Sequence, residues 1–104
     1  MLKPASSIPI RISLVFKLVY TEEAKKKIAR LDTQFKLKIQ EAVETIAQNP
    51  FSGKHLTQEL KGRMSYRVGD YRIIYKVFHK EILILILTVG HRRDVYIKQS
   101  RKNW

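Results

Sequence analysis

The last third of the chain places arginine, histidine and tyrosine at the borders of segments rich in β-forming residues. Residues 67–75 read RVGDYRIIY, and residues 90–96 read GHRRDVY directly after an apolar run. Because the strands of a sheet lie side by side, side chains at these borders could meet and form one cationic site. Arginine stays charged and grips two oxygens of a phosphate at once, so such a site would suit a phosphodiester.

Arg72 could have either of two roles, one structural and one in ligand binding. Side chains alternate along residues 71–78, so Arg72 shares one face with the apolar Ile74. Burying a guanidinium alone is costly, so Arg72 must reach either a carboxylate or a cleft open to solvent. The carboxylate could be Asp70, Asp94 or a helix glutamate, each of which would form a salt bridge with Arg72. In a cleft open to solvent, Arg72 could instead bind an anionic ligand.

Each residue that follows the apolar run could likewise have a structural or a functional role. Arg92 and Arg93 come after Gly90 and could form a solvated turn or contact phosphate. Tyr96 could be a core residue of a short last strand or take part in proton transfer. Free histidine titrates at about pH 6.5, so His91 could exchange protons or be a surface residue.

Length and charge limit the class of protein. A chain of 104 residues that is 44% hydrophobic forms one domain with a modest core. A net charge of +12 indicates a polyanionic partner, either nucleic acid or an acidic protein, unless the basic surface only aids solubility. Residues 21–48 hold six basic and five acidic side chains, whereas residues 49–104 hold twelve and four. The excess charge therefore follows the later segments, and the polyanion should approach there.

Several classes of site and location are excluded or disfavoured. The chain has no cysteine, which excludes disulfides and thiolate metal sites and is compatible with a cytosolic location. Its three histidines are not spaced with carboxylates as metal ligands, so we predict neither a metal nor a cofactor. The apolar run at residues 82–89 is too short to span a bilayer. Residues 1–14 lack the apolar segment of a signal peptide, and we interpret them as an N-terminal extension of a single domain, residues 1–104.

Apolar spacing predicts an α+β domain with the order β-α-α-β-β-β. Helices are expected to start at Thr21 and Asp32, the second ending before Asn49-Pro50, and to form an antiparallel hairpin. Strands are predicted at residues 12–20, 64–68, 71–78 and 82–89, with a loop at residues 51–63. The last strand is apolar on both faces and should be central. We expect an antiparallel sheet packed against the two-helix hairpin.

This element order and the motifs RVGDYRIIY and GHRRDVY resemble the RelE/ParE superfamily of toxins, and more narrowly its RelE-type messenger-RNA interferases. The resemblance covers residues 15–97 and implies a RelE-like toxin domain. It also implies a cytoplasmic, metal-independent endoribonuclease that cleaves mRNA in the ribosomal A site through 2′-hydroxyl attack, inhibits translation, and is neutralised by a cognate acidic antitoxin. The alternative is a ParE-like DNA gyrase poison or a catalytically inactive, antitoxin-binding homologue.

The resemblance implies roles for individual residues. Arg72 matches the arginine that stabilises charge at the scissile phosphate, and Arg92 matches the arginine that contacts phosphate after the last long strand. Tyr96 matches a tyrosine placed for proton transfer or for orienting the 2′-hydroxyl. His91 is the alternative acid or base.

Four further basic residues are candidates for binding RNA. Arg67 and Arg63 fall where the family keeps basic residues, and we add Lys54 and Arg93 because they lie in the adjoining basic segments. The sequence departs from one RelE branch at Ser65, where that branch has a second lysine.

Overall fold

The computed structural model describes residues 15–96, which form two α-helices, two short 3-10 helices and five strands. The predicted N-terminal extension and the first part of the predicted first strand lie outside this range. The elements are β1 (Lys17–Tyr20), α1 (Glu22–Ala29), α2 (Thr33–Gln48), β2 (Lys54–His55), β3 (Met64–Val68), β4 (Tyr71–Phe78) and β5 (Leu83–His91).

Both helices begin where the sequence predicts. The Thr21 hydroxyl accepts a hydrogen bond from the Ala24 amide at 3.0 Å and donates one to the Leu87 carbonyl at 2.6 Å. The Asp32 carboxylate accepts from the Phe35 amide at 2.9 Å. Each cap satisfies an amide that would otherwise lack a partner in the first helical turn. The Thr21 cap also ties the start of α1 to β5.

The five strands form one sheet in the order β1-β5-β4-β3-β2. The α+β class and the central position of β5 are confirmed, but the sheet is mixed rather than wholly antiparallel. β1 runs parallel to β5, whereas the pairs β2–β3, β3–β4 and β4–β5 are antiparallel. A parallel pair needs a long crossover connection, and here the two helices form part of that connection.

Two local differences from the predicted strands are small. The predicted loop at residues 51–63 contains the two-residue strand β2, whose Lys54 pairs with Ser65 of β3. Ile82 precedes β5 instead of starting it, with a φ of 52° and 42% of its surface exposed. A β-branched residue in this left-handed conformation belongs to a turn rather than a strand.

A bulge in β5 decides which side chains face the helices. Tyr75 pairs with Ile86, but its neighbour Ile74 pairs with Thr88, so Leu87 has no opposite residue in β4. The extra residue exchanges the two faces for the rest of β5. Val89 therefore joins the core beneath the helices, while Leu87 packs with Ile74 on the opposite face.

The main core lies between the helices and the sheet. It contains Ile39, Val43 and Ile46 of α2 together with Ile73 of β4 and Ile84 of β5, all 3% exposed or less. A smaller cluster covers the other face of the sheet and includes Val95 and Tyr96 from the end of the described range. The central strand is thus covered on both sides. Among residues 15–96, no helix has the length and apolar character needed to cross a membrane.

A buried tyrosine anchors the chain between α2 and β2. The Tyr75 hydroxyl donates to the Pro50 carbonyl at 2.8 Å and accepts from the Gly53 amide at 3.1 Å. Burial raises the pKa of Tyr75, so the hydroxyl stays protonated and can make both bonds at neutral pH. This contact holds the segment that leads into β2 against the sheet.

Candidate functional site

Two arginines lie directly opposite each other on the sheet face that is turned away from the helices, here called the outer face. Arg67 of β3 pairs with Arg72 of β4. Their neighbours Tyr66 and Tyr71 pack in the helix-side core, so alternation places both arginines on the outer face. Opposite residues in such a pair have Cβ atoms about 5 Å apart, and two like-charged side chains at opposite positions destabilise the pair. A bound anion would relieve this repulsion.

Backbone carbonyls of the β3–β4 turn hold the Arg72 guanidinium. Its Nη1 donates to the carbonyls of Gly69 and Tyr71, both at 3.0 Å. Within residues 15–96, no carboxylate forms an ion pair with Arg72, so the salt bridge suggested by the sequence is not what satisfies it. Nε and Nη2 take no part in these two bonds. The fork of donors is therefore oriented while part of it is open to a ligand.

The same turn holds Arg92. The Arg92 amide donates to the Asp70 carbonyl at 2.8 Å, and its Nε lies 3.9 Å from the Asp70 carboxylate. Half of the Arg92 side chain is exposed, at 51%, so this long ion pair contributes little to stability and leaves the guanidinium accessible. The Gly69-Asp70 turn thus gathers Arg72 and Arg92, which are 20 residues apart in the sequence.

Tyr96 reaches the outer face from the turn that follows β5. Its ring is half-buried in the small cluster with Ile74 and Val95, and its hydroxyl lies 2.9 Å from the Ser65 hydroxyl. It follows the turn at residues 92–94 and is not on a strand. Gly90 lets the chain fold back, because a Cβ there would lie 3.2 Å from Cβ of Val95.

His91 lies on the other side of the sheet. It pairs with Tyr71, and the two rings meet edge to face at 5.9 Å. The Tyr71 ring in turn lies 4.5 Å from that of Phe35 on α2. The bulge in β5 causes this placement, since regular alternation would put His91 on the same face as Leu87. In this register His91 is on the helix side of the sheet, whereas Arg72 is on the outer face, and the His91 Nδ1 accepts a hydrogen bond from the Arg93 amide at 3.2 Å.

The remaining predicted RNA-binding residues differ in exposure. Arg93 is exposed in the turn after β5, and Lys54 is exposed on the edge strand β2. Arg63 is only 7% exposed, and its Nη1 donates to the Glu59 carbonyl at 3.3 Å. Its guanidinium therefore belongs to the loop before β3 more than to the surface. Among residues 15–96, no three histidine or acidic side chains converge as metal ligands would.

Sequence reasoning named Ser65 only as a departure from one RelE branch and did not include it among the candidate site residues. The alternation of β3 puts Ser65 on the same face as Arg67, which was a usable signal. Its contact with Tyr96 joins positions 31 residues apart, and no local pattern shows such a contact.

Comparison with known proteins agrees with this architecture. A family model described as the ParE toxin of a type II toxin–antitoxin system, parDE, matches residues 18–96. Toxin RelG of Mycobacterium tuberculosis H37Rv is 32% identical over 79 residues, which cover 74% of this chain and 91% of RelG. The chain belongs to the RelE/ParE superfamily of type II toxin–antitoxin toxins, and the resemblance found in its sequence is confirmed.

Solved structures share the fold. A chain of the toxin–antitoxin complex RelBE2 from M. tuberculosis matches with a TM-score of 0.72 and 27% identity, covering 79% of this chain and 97% of that chain. The isolated Escherichia coli RelE toxin matches with a TM-score of 0.64, covering 81% of this chain and 94% of its own. At 18% identity, the second match shows the fold alone.

Proposed function

We propose that this toxin is a ribosome-dependent endoribonuclease that cleaves mRNA in the A site without a metal ion. The observation that carries the proposal is the outer face itself. Arg67 and Arg72 lie opposite each other, Arg92 adjoins them at the same turn, and the Tyr96 hydroxyl lies on the same face. The 32% identity to a protein named toxin RelG supports the RelE branch.

In the proposed reaction, the 2′-oxygen of one nucleotide attacks the adjacent phosphorus in line with the departing 5′-oxygen. The new P–O2′ bond forms as the P–O5′ bond breaks, leaving a 2′,3′-cyclic phosphate and a 5′-hydroxyl. One proton leaves the 2′-hydroxyl and one reaches the 5′-oxygen. Negative charge grows on the two non-bridging oxygens, which is where fixed cations accelerate the reaction most.

The side chains divide this work. Arg72 and Arg92 bind the non-bridging oxygens, since oriented guanidinium groups make charge-assisted, paired hydrogen bonds to phosphate. Arg67 adds charge beside Arg72 and, with the exposed Arg93 and Lys54, holds the flanking RNA. Tyr96 orients the 2′-hydroxyl, because a phenol is a poor base at neutral pH. His91 takes no part in the proposed chemistry because it lies on the opposite face.

Expression in a host without the antitoxin tests this proposal. Wild type should arrest growth and produce new RNA 5′-ends in phase with codons. Arg72→Ala should abolish both while remaining soluble and folded, because one lost phosphate donor can cost about a hundredfold or more in rate. Arg30→Ala is the matched control, since Arg30 is exposed at the end of α1 and is not on a strand of the sheet. Cutting by a folded Arg72→Ala protein would disprove the assignment.

The second candidate is a DNA gyrase poison. It is favoured by the family model, whose description names the ParE toxin of parDE. It explains the basic sheet but gives no role to the placement of Arg72, Arg92 and Tyr96 at one site. Growth arrest with DNA damage and intact transcripts would support this candidate over RNA cleavage.

We also propose a cytoplasmic antitoxin partner. The solved structures of similar fold include toxin–antitoxin complexes from M. tuberculosis, E. coli and Pyrococcus horikoshii. With a net charge of +12, this toxin should select an acidic antitoxin, which would also suppress the repulsion between Arg67 and Arg72.

A further inference from the structure

We infer that Ser65 is a positioning residue, whose hydroxyl fixes the Tyr96 phenol beside the arginines of the outer face. The inference rests on the proposed nuclease function and concerns the same site. It starts from one contact, the 2.9 Å hydrogen bond between the two hydroxyl oxygens.

The pairing of the strands places this contact next to the arginines. Ser65 lies opposite Ile74, and two residues further along each strand Arg67 lies opposite Arg72. Residues two apart on one strand share a face and lie about 7 Å apart. The Tyr96 hydroxyl, held at Ser65, is therefore one row away from the backbone positions of Arg67 and Arg72, and the Arg72 guanidinium lies on the turn side of that row. This spacing suits a phenol that touches the sugar next to a phosphate bound by the arginines.

Burial gives the bond its importance. Ser65 is 5% exposed, so its hydroxyl needs a partner inside the protein, and Tyr96 is the partner seen. Leaving such a group unpaired costs about 1 to 3 kcal/mol. The two residues are thus matched, and the preferred position of the phenol oxygen is the one that bonds Ser65.

The bond also leaves the phenol able to act on RNA. Each hydroxyl can donate one hydrogen bond and accept others. One bond to Ser65 therefore uses only part of the capacity of the Tyr96 oxygen. The rest of that capacity can orient a 2′-hydroxyl, while the ring is held by Val95 and Ile74. Ser65 itself, being buried, does not reach the RNA.

The test is a double-mutant cycle on purified protein. Ser65→Ala, Tyr96→Phe and the double variant are compared in single-turnover cleavage of mRNA on programmed ribosomes. The rate constant at saturation and the half-saturating toxin concentration are measured separately. Thr88→Val is the matched control, because Thr88 lies opposite Ile74 in the same row, is 1% exposed, and its hydroxyl is not the one bonded to Tyr96.

We expect Ser65→Ala to lower the rate constant by roughly tenfold to a hundredfold with an unchanged half-saturating concentration, since a misplaced group costs rate rather than binding. The rate constant of Tyr96→Phe should fall by at least the same factor. The double variant should cleave no more slowly than Tyr96→Phe. Thr88→Val should cleave like wild type. Ser65→Thr, which keeps the hydroxyl, should cleave faster than Ser65→Ala.

A second readout does not depend on cleavage. The ring carbon bonded to the Tyr96 hydroxyl, identified by its absence in Tyr96→Phe, should shift in the NMR spectrum of Ser65→Ala and not in that of Thr88→Val. Wild-type rates in Ser65→Ala, or multiplying losses in the double variant, would overturn the positioning role alone. A wild-type protein that binds ribosomes and cuts no RNA would overturn the proposed function as well.

Discussion

The two arginines at this site have different partners, which are backbone carbonyls for Arg72 and a distant carboxylate for Arg92. Arg72 donates through Nη1 to two turn carbonyls, and Arg92 approaches Asp70 only at 3.9 Å. A carboxylate partner would neutralise the guanidinium, whereas a carbonyl orients it and leaves its charge available. The contacts of Arg72 therefore agree with anion binding better than with a purely structural role.

Arg72→Lys tests whether geometry or charge matters at this position. Lysine keeps the charge but cannot hold the Gly69 and Tyr71 carbonyls while presenting a fork of donors. We expect cleavage to fall by roughly a hundredfold, with the thermal midpoint changed by no more than a few degrees. Single-turnover rates and thermal melts measure both. Near-normal cleavage by Arg72→Lys would show that charge alone is sufficient.

Among the secondary-structure elements, the bulge in β5 and the turn after it build the site. The bulge turns Thr88 and Gly90 to the outer face, and Gly90 leaves the space that Val95 occupies. The chain folds back at this point, and Tyr96 reaches Ser65 from the turn that follows. The position of the phenol thus depends on a residue without a side chain.

Gly90→Ala should show whether Gly90 matters for the position of Tyr96 or only for the stability of the fold. The added methyl would lie 3.2 Å from Cβ of Val95, which would have to shift by a few tenths of an ångström, and Tyr96 is the next residue in the chain. We expect a loss of about 1 kcal/mol in unfolding free energy and a larger loss of cleavage, roughly tenfold or more.

Gly62→Ala is the control for that variant. Gly62 has a φ of 92° and open space around it, so alanine there causes backbone strain without a collision. It should cost a similar amount of unfolding free energy, about 1 kcal/mol, with normal cleavage. Equal losses of cleavage in both variants would mean that Gly90 contributes stability only. Denaturant titration and single-turnover rates supply the two measurements.

For the whole molecule, charge asymmetry predicts how binding responds to salt. The helical hairpin is nearly neutral, and the excess positive charge lies on the sheet, its loops and the terminal segment. Affinity for a non-cleavable RNA oligonucleotide should fall steeply with salt. Arg67→Gln should reduce the slope of log affinity against log salt by roughly 0.7, the value for one lost phosphate contact on a single strand. Lys36→Gln, a change on α2, should leave the slope unchanged. Equal slopes for the Arg67 and Lys36 variants would mean that the RNA does not bind on the outer face at Arg67. Fluorescence anisotropy measures these affinities.

The sequence predicted the elements well and the site in part, for physical reasons. Caps at Thr21 and Asp32 and the apolar stripe of α2 are local signals, so the helices were found. The parallel pairing of β1 with β5 was not predicted, because the periodicity of apolar residues does not show which strands are neighbours in the sheet. His91 was grouped with Arg72 because both lie at the borders of predicted strands, and the bulge at Leu87, which decides the face of His91, leaves no signal in the sequence.

The pairing of the first strand with the last has a consequence for how the toxin is made. Lys17 pairs with Leu83, and the Thr21 hydroxyl bonds the Leu87 carbonyl, 66 residues further on. At a synthesis rate of about 5 to 20 residues per second, β1 waits for roughly 3 to 13 seconds before its partner strand exists. The nascent chain cannot close its sheet or carry Tyr96 to Ser65 during that time. Under the proposed function, the outer-face site is therefore complete only after residue 96 has been synthesised.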